Sequence, residues 1–300
     1  MYHHEHEYGP QREQNKQGLT IALAITTGIM VLEFVGGILT QSLALLSDSG
    51  HMLSDASSLA FSLIAMRFAS KPPTPQKTYG FYRFEILAAL FNGITLFAIA
   101  GFIVWEAIQR FLHPPKVASG SMIVIAALGL TANLASAWIL LKKGDVNENV
   151  NVRSAYLHVL GDALGSVGAI AAGLLMLGFS WYVADPVISL FVAVLILKSA
   201  WGVLSHAIHI LMEGTPTGID QTEVRQTLLS IPGVLDIHDL HIWTITSGLN
   251  SLSCHLLVQE DQDEQEILQQ AIQKVEEQFH IKHATIQVEK SDWNHEKLDI

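Results

Sequence analysis

Two pairs of histidine and aspartate have the spacing of a metal site built on helices. His51 and Asp55 stand four residues apart within LALLSDSGHMLSDASSLAFSLIAM, and His158 and Asp162 repeat this spacing within YLHVLGDALGSVGAIAAG. Residues four apart lie on one face of a helix. Two imidazoles and two carboxylates together form a four-ligand set for a tetrahedral divalent metal, zinc above all.

The apolar setting of both pairs favours a functional interpretation. A single His-x-x-x-Asp pair on a soluble helix is usually a surface pair or a cap. A charged group within hydrocarbon is costly, and such residues usually mark a functional site. Asp48 stands three residues before His51 on the same stripe. It could orient His51 or relay a proton, or it could be a packing or water-solvated carboxylate, and the sequence leaves both open.

The composition is that of a membrane protein. Of 300 residues, 50% are hydrophobic and 15% are charged. A net charge of −11 without any Lys/Arg-rich run argues against a nucleic-acid partner. The single cysteine, Cys254, excludes an internal disulfide framework and a cysteine-rich metal site. The polar amino terminus does not resemble a cleavable signal.

Six apolar segments are each long enough to cross the ~30 Å hydrocarbon core. A polar tail over residues 1–17 precedes them, carrying His3, His4 and His6. This tail is either a loose metal collector or a disordered solvated segment, and we favour the latter. The spans are predicted near 19–39, 44–69, 84–112, 118–141, 152–178 and 182–209. Within the third, Glu106 and Arg110 have the spacing of an ion pair.

The distribution of basic residues predicts the orientation. The tail and the loops between spans two and three and between spans four and five carry most of the lysines and arginines. The opposite side offers only Arg110 and Lys116. Both termini are therefore predicted to be cytoplasmic, in a multi-pass protein of the cell membrane surrounded by lipid.

Residues 214–300 have the character of a small soluble domain. Asp220 is a predicted N-cap of an amphipathic helix that ends before Pro232-Gly233. Strands are predicted over 234–244, 249–259 and 284–289, and a second helix over 263–279. This αββαβ order is a ferredoxin-like α+β domain with helices on one face of a sheet. We therefore predict an all-α six-helix transmembrane domain over 18–213, followed by a cytoplasmic domain over 214–300.

These features together resemble the cation diffusion facilitator family. The resemblance is carried by the six spans, the paired His-x-x-x-Asp motifs, the stretch SLALLSDSGHMLSD, and HDLHIW and TIQVE in the last domain. It implies a homodimeric exporter of zinc, with cadmium and cobalt as alternatives, that exchanges metal for protons and is not an enzyme. The implied transport site is His51, Asp55, His158 and Asp162, with histidine at position 51 typical of the zinc branch.

The resemblance also implies a second, structural or regulatory zinc site in the cytoplasmic domain and a hinge ion pair. The candidates for the zinc site are His238, His255, His283 and Glu289, with His241 a weaker one. The hinge candidates are Arg83 in YGFYRFE and Glu213 in LMEG. Two separate solvated charges are the alternative for that pair.

This chain departs from many relatives in two loops. KKGDVNENVNVRSAY, between spans four and five, contains no histidine. RFASKPPTPQKTYG, between spans two and three, contains neither Asp nor His, so a metal site in that loop is not expected. Two rival functions remain, an intramembrane zinc hydrolase and a membrane-anchored metal sensor. The first lacks a His-Glu-x-x-His motif, and six spans exceed what the second requires.

Overall fold

The described part of the chain consists of six long helices followed by a region of two shorter helices and three strands. The computed structural model describes residues 8–69, 71–143, 150–246 and 248–290. Within these ranges it does not describe the side chains of residues 8–19, 54, 55, 58–63, 65, 66, 69, 143, 150–152 and 154. The chain forms two compact units, Met1–Ala60 with Asn92–Gly202, and Phe61–Phe91 with Val203–Ile300.

The six predicted spans are all helical. They are α1 (Tyr8–Thr40), α2 (Leu43–Ala69), α3 (Phe84–Leu112), α4 (Ser119–Lys143), α5 (Val150–Phe179) and α6 (Ala184–Leu211). Among the described residues, five helical segments are long and apolar enough to cross a membrane, and they belong to every one of these helices except α2. Helix α2 is the one that carries Asp48, His51 and Asp55.

Helix α1 begins earlier than the polarity of the amino terminus suggested. The prediction of a disordered tail over residues 1–17 is wrong for residues 8–17, which belong to α1. Pro10 lies in the first turn of this helix, where its missing N–H is tolerated. Adding turns to an existing helix costs little, and polar residues do not prevent it. His3, His4 and His6 lie outside the described residues.

Small side chains allow the helices of the first unit to approach one another closely. One cluster joins α2, α4 and α5 through Ala44, Leu45, Met122, Ala126, Ala169, Ala172 and Met176. A second joins Leu43 to α3 and α6 through Leu96, Ala100, Ile103, Ala107, Ala193, Ile196 and Ala200. Alanine and glycine at helix contacts are typical of membrane bundles, since lipid offers no hydrophobic driving force between helices. The start of α2 is thereby packed against four other helices.

A buried carboxylate on α6 fixes the amino terminus of α2. Asp185 is fully buried and accepts hydrogen bonds from Ser42 Oγ (2.7 Å) and from the backbone N–H groups of Leu43 (2.7 Å) and Ala44 (3.2 Å). The first N–H groups of a helix have no partner within it, and a carboxylate satisfies them well.

Arg110 adds the countercharge to this arrangement. Its guanidinium lies 3.7 Å from Asp185, donates to Gln41 O, and forms the predicted pair with Glu106 at 2.9 Å. Asp185 and Arg110 together tie α2 to α3 and α6.

Replacing Asp185 by alanine should strongly destabilise the protein. The change leaves the Ser42 hydroxyl and two N–H groups without their acceptor and removes a buried partner of Arg110. Breaking a buried ionic group of this kind costs roughly 3–5 kcal/mol. The melting temperature in detergent should therefore fall by several degrees relative to Asp261→Ala, a change at an exposed carboxylate. Equal melting temperatures would contradict the capping role.

The cytoplasmic domain has the predicted αββαβ order. Its elements are α7 (Gln221–Leu229), β1 (Val234–Thr246), β2 (Leu249–Val258), α8 (Glu264–Phe279) and β3 (His283–Lys290). Asp220 caps α7 as predicted, accepting from Thr222 N. Strand β2 lies in the centre, antiparallel to β1 and parallel to β3. Both helices contribute to one core with the strands, including Val224, Leu228, Leu252, Leu256 and Val275.

Candidate metal centres

The membrane domain brings the two predicted histidines together from different helices. One ligand atom from each of His51 (α2), His158 and Asp162 (both α5) lies within 4.8 Å of the other two. The two imidazole rings are 5.9 Å apart between centroids and inclined by 62°. Asp162 is buried, and its Oδ2 lies 3.7 Å from His158 Nε2. The fourth predicted ligand, Asp55, belongs to α2, and its side chain lies outside the described residues.

This group has the size and composition of a zinc site. Zinc binds histidine nitrogen at ~2.0–2.1 Å and carboxylate oxygen at ~2.0–2.2 Å. Tetrahedral ligands at those bond lengths are roughly 3.3 Å from one another. Ligand atoms within 4.8 Å of one another therefore need to close by at most about 1.5 Å to bind the ion, and His158 Nε2 and Asp162 Oδ2 are already 3.7 Å apart. Each imidazole can present either of its two nitrogens to the ion.

Asp48 is buried close to this group but is turned towards α5. It is 5% exposed, and its carboxyl oxygens would lie 2.7 and 3.0 Å from a Cβ atom added at Gly165. Glycine at position 165 is therefore what allows the carboxyl to rest against the α5 backbone. Glu33 on α1 occupies a similar place beside Gly129, and sequence reasoning did not assign it a role. Its acidity within an apolar span was the available signal.

The cytoplasmic domain gathers three of its candidate ligands on neighbouring strands. His238 on β1 stands directly opposite His255 on β2, and their rings are 4.9 Å apart. Glu289 on β3 is almost fully buried between them, with its carboxylate 2.6 Å from His255 Nδ1 and 3.2 Å from His238 Nε2. Two imidazoles sharing one carboxylate can hold a divalent metal once the nitrogens are deprotonated.

A β-bulge adds a residue that sequence reasoning missed. The pairing of β1 with β2 shifts between His238 and His241, and Asp239 there has a positive φ of 51°. Bulges redirect side chains. The Asp239 carboxylate lies 3.4 Å from His238 Nδ1, and one ligand atom from each of His238, Asp239 and His255 lies within 4.8 Å of the others. Its place beside His238 in HDLH was the only sequence signal.

The remaining candidates of this domain lie elsewhere. His283 pairs with Ser251 at the start of β3, six residues from Glu289, which is about 20 Å along a strand. Its ring is near Tyr79. His241 is exposed.

Cys254 belongs to the hydrophobic core, where burial raises the pKa of its thiol to about 12. It is therefore a neutral core residue rather than a thiolate ligand.

The two predicted hinge residues are in contact. Arg83 Nη2 lies 2.9 Å from Glu213 Oε1, and both side chains are exposed, by 37% and 61%. In the same unit, Thr246 at the end of β1 donates to Glu85 in the first turn of α3 at 2.6 Å. An exposed ion pair contributes little stability by itself, ~0–1 kcal/mol. Its importance would lie in joining the chain before α3 to the chain after α6.

Reversing both charges of this pair should restore what either single reversal removes. Arg83→Glu places two carboxylates in contact, and Glu213→Arg places two guanidiniums in contact, so each should lower metal transport several-fold. The double variant recreates an opposite pair and should recover most of the parent rate in vesicles. Failure of the double variant to recover, with both proteins inserted at equal amounts, would show that the contact has no functional role.

Comparisons with known proteins agree with this architecture. Residues 19–212 match the family model for the cation efflux transmembrane domain, and residues 216–291 match the model for the cation efflux protein, cytoplasmic domain. The chain belongs to the cation diffusion facilitator family.

Individual relatives cover nearly the whole chain. A "Cadmium, cobalt and zinc/H(+)-K(+) antiporter" from Bacillus subtilis (strain 168) is 49% identical over 98% of this chain and 94% of its own length. The "Zinc transporter ZitB" from Escherichia coli (strain K12) is 43% identical over 92% of this chain and 88% of its own. A solved structure, "Metal-bound C-terminal domain of the CzcD transporter from Cuprividus metallidurans", is 42% identical, covering 24% of this chain and 99% of that one, with a TM-score of 0.23.

Proposed function

We propose that this protein exports divalent metal ions, zinc above all and also cadmium and cobalt, across the cell membrane in exchange for protons. The observation that carries the proposal is the convergence of His51, His158 and Asp162 from two helices of the membrane domain. Asp55 would complete a site of two imidazoles and two carboxylates. The relatives whose names state transport of these metals support the same substrate class.

Protonation of the imidazoles provides both loading and release. Neutral imidazole binds zinc, whereas protonated imidazole cannot, and free imidazole titrates near pH ~6.5. On the more alkaline cytoplasmic side the site loads metal. On the more acidic outer side a proton competes for His51 or His158, and the metal is released. Movement of α2 and α5 relative to their neighbours exposes the site alternately to the two sides. Asp48 orients His51 or passes it a proton.

The rest of the chain serves this cycle. Residues 18–213 form the transport domain in contact with lipid, with both termini in the cytoplasm. Residues 214–300 form a domain that associates with a second copy, and the family model for this region supports its cytoplasmic placement. A structural or regulatory zinc ion binds His238, His255 and Glu289, with Asp239 beside His238.

The cytoplasmic site predicts a specific loss of bound metal. Glu289→Gln keeps the side-chain shape but removes the carboxylate shared by both imidazoles. We expect the affinity of this site for zinc to fall by more than about 100-fold, because the change removes a ligand and not only a group around one. Equilibrium dialysis of the full-length protein should register one fewer tight zinc ion per chain, whereas the matched change His283→Gln should not. Unchanged zinc stoichiometry in Glu289→Gln would refute the site.

Zinc uptake by vesicles that contain only the purified protein tests the proposed function. Inside-out vesicles with an acidic interior should accumulate zinc, and the interior should become more alkaline as zinc enters. Accumulated zinc without any chemical product distinguishes transport from an intramembrane hydrolase. Zinc binding without accumulation would instead indicate a sensor. Competition with cadmium, cobalt and manganese in the same vesicles establishes the substrate range.

A further inference from the structure

A second buried polar group lies next to the metal centre and contains only oxygen ligands. Glu33 on α1 and Ser166 on α5 are fully buried, and Asp48 on α2 is nearly so. Glu33 and Asp48 interact with each other through their carboxyls, but Ser166 Oγ, both carboxyl oxygens of Glu33 and Oδ2 of Asp48 receive no hydrogen bond from any other group that the structure describes. Buried polar atoms are seldom left in this state, so a ligand is expected where they meet.

Two glycines make room for these side chains. A Cβ atom added at Gly129 on α4 would overlap Glu33 Oε1 and would lie 3.3 Å from Ser166 Oγ. Glu33 and Ser166 therefore approach the same point of the α4 backbone. At Gly165, an added Cβ would lie 2.7 and 3.0 Å from the two oxygens of Asp48. The two carboxyls therefore pack directly against the glycine backbone of α4 and of α5.

The ionisable groups that act electrostatically on Glu33 and Asp48 are all carboxyls. Glu33 and Asp48 lie close enough to act on each other electrostatically, and Asp162 acts in the same way on both. Among the described side chains, no lysine or arginine forms an ion pair with Glu33 or Asp48. From α4 the nearby buried polar residues are Asn133 and Ser136, which carry no charge. Two facing carboxylates in a low-dielectric setting repel one another unless a positive charge lies between them.

We infer that Glu33 and Asp48 together hold one monovalent cation, a proton or a potassium ion, at a site separate from the ligands of the transported metal. A proton and a potassium ion each supply a single positive charge. The site contains only oxygen ligands, and oxygen ligands favour hard cations over zinc. The role of this site rests on the proposed function. When a divalent metal leaves, its four ligands lose two positive charges, and a monovalent cation beside Asp162 compensates part of that loss.

Counting the ions exchanged per zinc tests the inference. Vesicles that contain the parent protein or Glu33→Gln would be loaded with a zinc indicator, a pH indicator, and rubidium as a tracer for potassium. The amide introduced at position 33 is neutral and can donate to Asp48, so this pair no longer needs a cation. We expect metal affinity within about threefold of the parent, and about one fewer monovalent ion exchanged per zinc. A lower proton count identifies a proton as the ligand, whereas a lost rubidium flux with an unchanged proton count identifies potassium.

Matched variants separate this effect from general damage. Glu106→Gln makes the same change at a membrane carboxylate that already has Arg110 as its partner. This variant should leave unchanged both the number of protons and the number of rubidium ions exchanged per zinc. Gly129→Ala should displace the Glu33 carboxyl and alter the same ratio as Glu33→Gln. Gly101→Ala, where an added Cβ meets nothing within 4 Å, should not. Unchanged ratios in both Glu33→Gln and Gly129→Ala would overturn the inference.

A readout that does not require transport keeps this test apart from the proposed function. The infrared band of a protonated carboxyl in the purified parent should disappear in Glu33→Gln if a proton is bound. If potassium is bound, added potassium chloride should raise the melting temperature of the parent more than that of the variant, with sodium chloride as the reference. Absence of both differences would overturn the cation site even in a protein that transports zinc normally.

Discussion

Vesicles containing Asp162→Asn should take up zinc at least about 100-fold more slowly than vesicles containing the parent protein. The substitution keeps the size of a buried side chain and removes the carboxylate that, among the described side chains, groups with both imidazoles. An amide is a weaker zinc ligand and carries no charge to offset the dication. Changes confined to groups around metal ligands already reduce affinity by roughly 10–100-fold, so loss of a ligand should exceed that range.

Zinc uptake and the accompanying proton movement should disappear together in Asp162→Asn. Metal departure leaves two carboxylates and two imidazoles in a low-dielectric setting, and protonation of one or two of these groups lowers the cost of returning empty. Asp162 is therefore both a ligand and a proton acceptor. The interior of Asp162→Asn vesicles should not become more alkaline when zinc is added outside. The melting temperature provides the control, because it should change less than in Asp185→Asn, where a helix cap is altered.

Continued zinc uptake at the parent rate would remove Asp162 from the site. A different outcome concerns the parent protein. If its zinc uptake is undiminished when no pH gradient is applied and no protons move, the protein is a simple facilitator and not an exchanger. The two outcomes are distinguishable because the first concerns the variant and the second the parent. Measuring zinc and pH in the same vesicles records both.

The second large effect concerns metal selectivity at position 51. His51→Asp changes the donor set from two imidazoles and two carboxylates to one imidazole and three carboxylates. Nitrogen ligands favour borderline metals such as zinc, whereas oxygen ligands favour harder ions such as manganese. We expect the ratio of manganese to zinc uptake to rise by at least about tenfold, chiefly through gained manganese transport.

An exposed histidine on another helix provides the matched control. His206→Asp, near the end of α6, makes the same chemical change at an exposed residue that is not a candidate ligand, and it should leave the uptake ratio unchanged. If His51→Asp vesicles transport manganese no better than parent vesicles, the donor set at position 51 does not control selectivity. Metal competition in a single vesicle preparation removes differences in protein insertion.

Local sequence was sufficient for the elements and for half of the candidate metal centre in the membrane domain. Apolar length predicted all six long helices, because hydrocarbon requires every backbone group to be bonded within the helix. Alternation and turn residues predicted the αββαβ order of the last domain, including the Asp220 cap. The pair His158 and Asp162 lies on one turn of α5, so its proximity follows from helix geometry alone. Polarity, however, did not predict that residues 8–17 are helical, since polarity reports solvation and not backbone conformation.

Tertiary structure decided which of these residues meet. His51 approaches His158 because small side chains let α2, α4 and α5 pack closely, a property of helix surfaces that spacing along the chain does not encode. Glu289 joins His238 and His255 because β3 pairs in parallel with β2, and the same register places His283 at the other end of the strand. Asp185 caps a helix from across the bundle. Such contacts depend on the packing of distant segments, and that packing is settled only when the whole chain has folded.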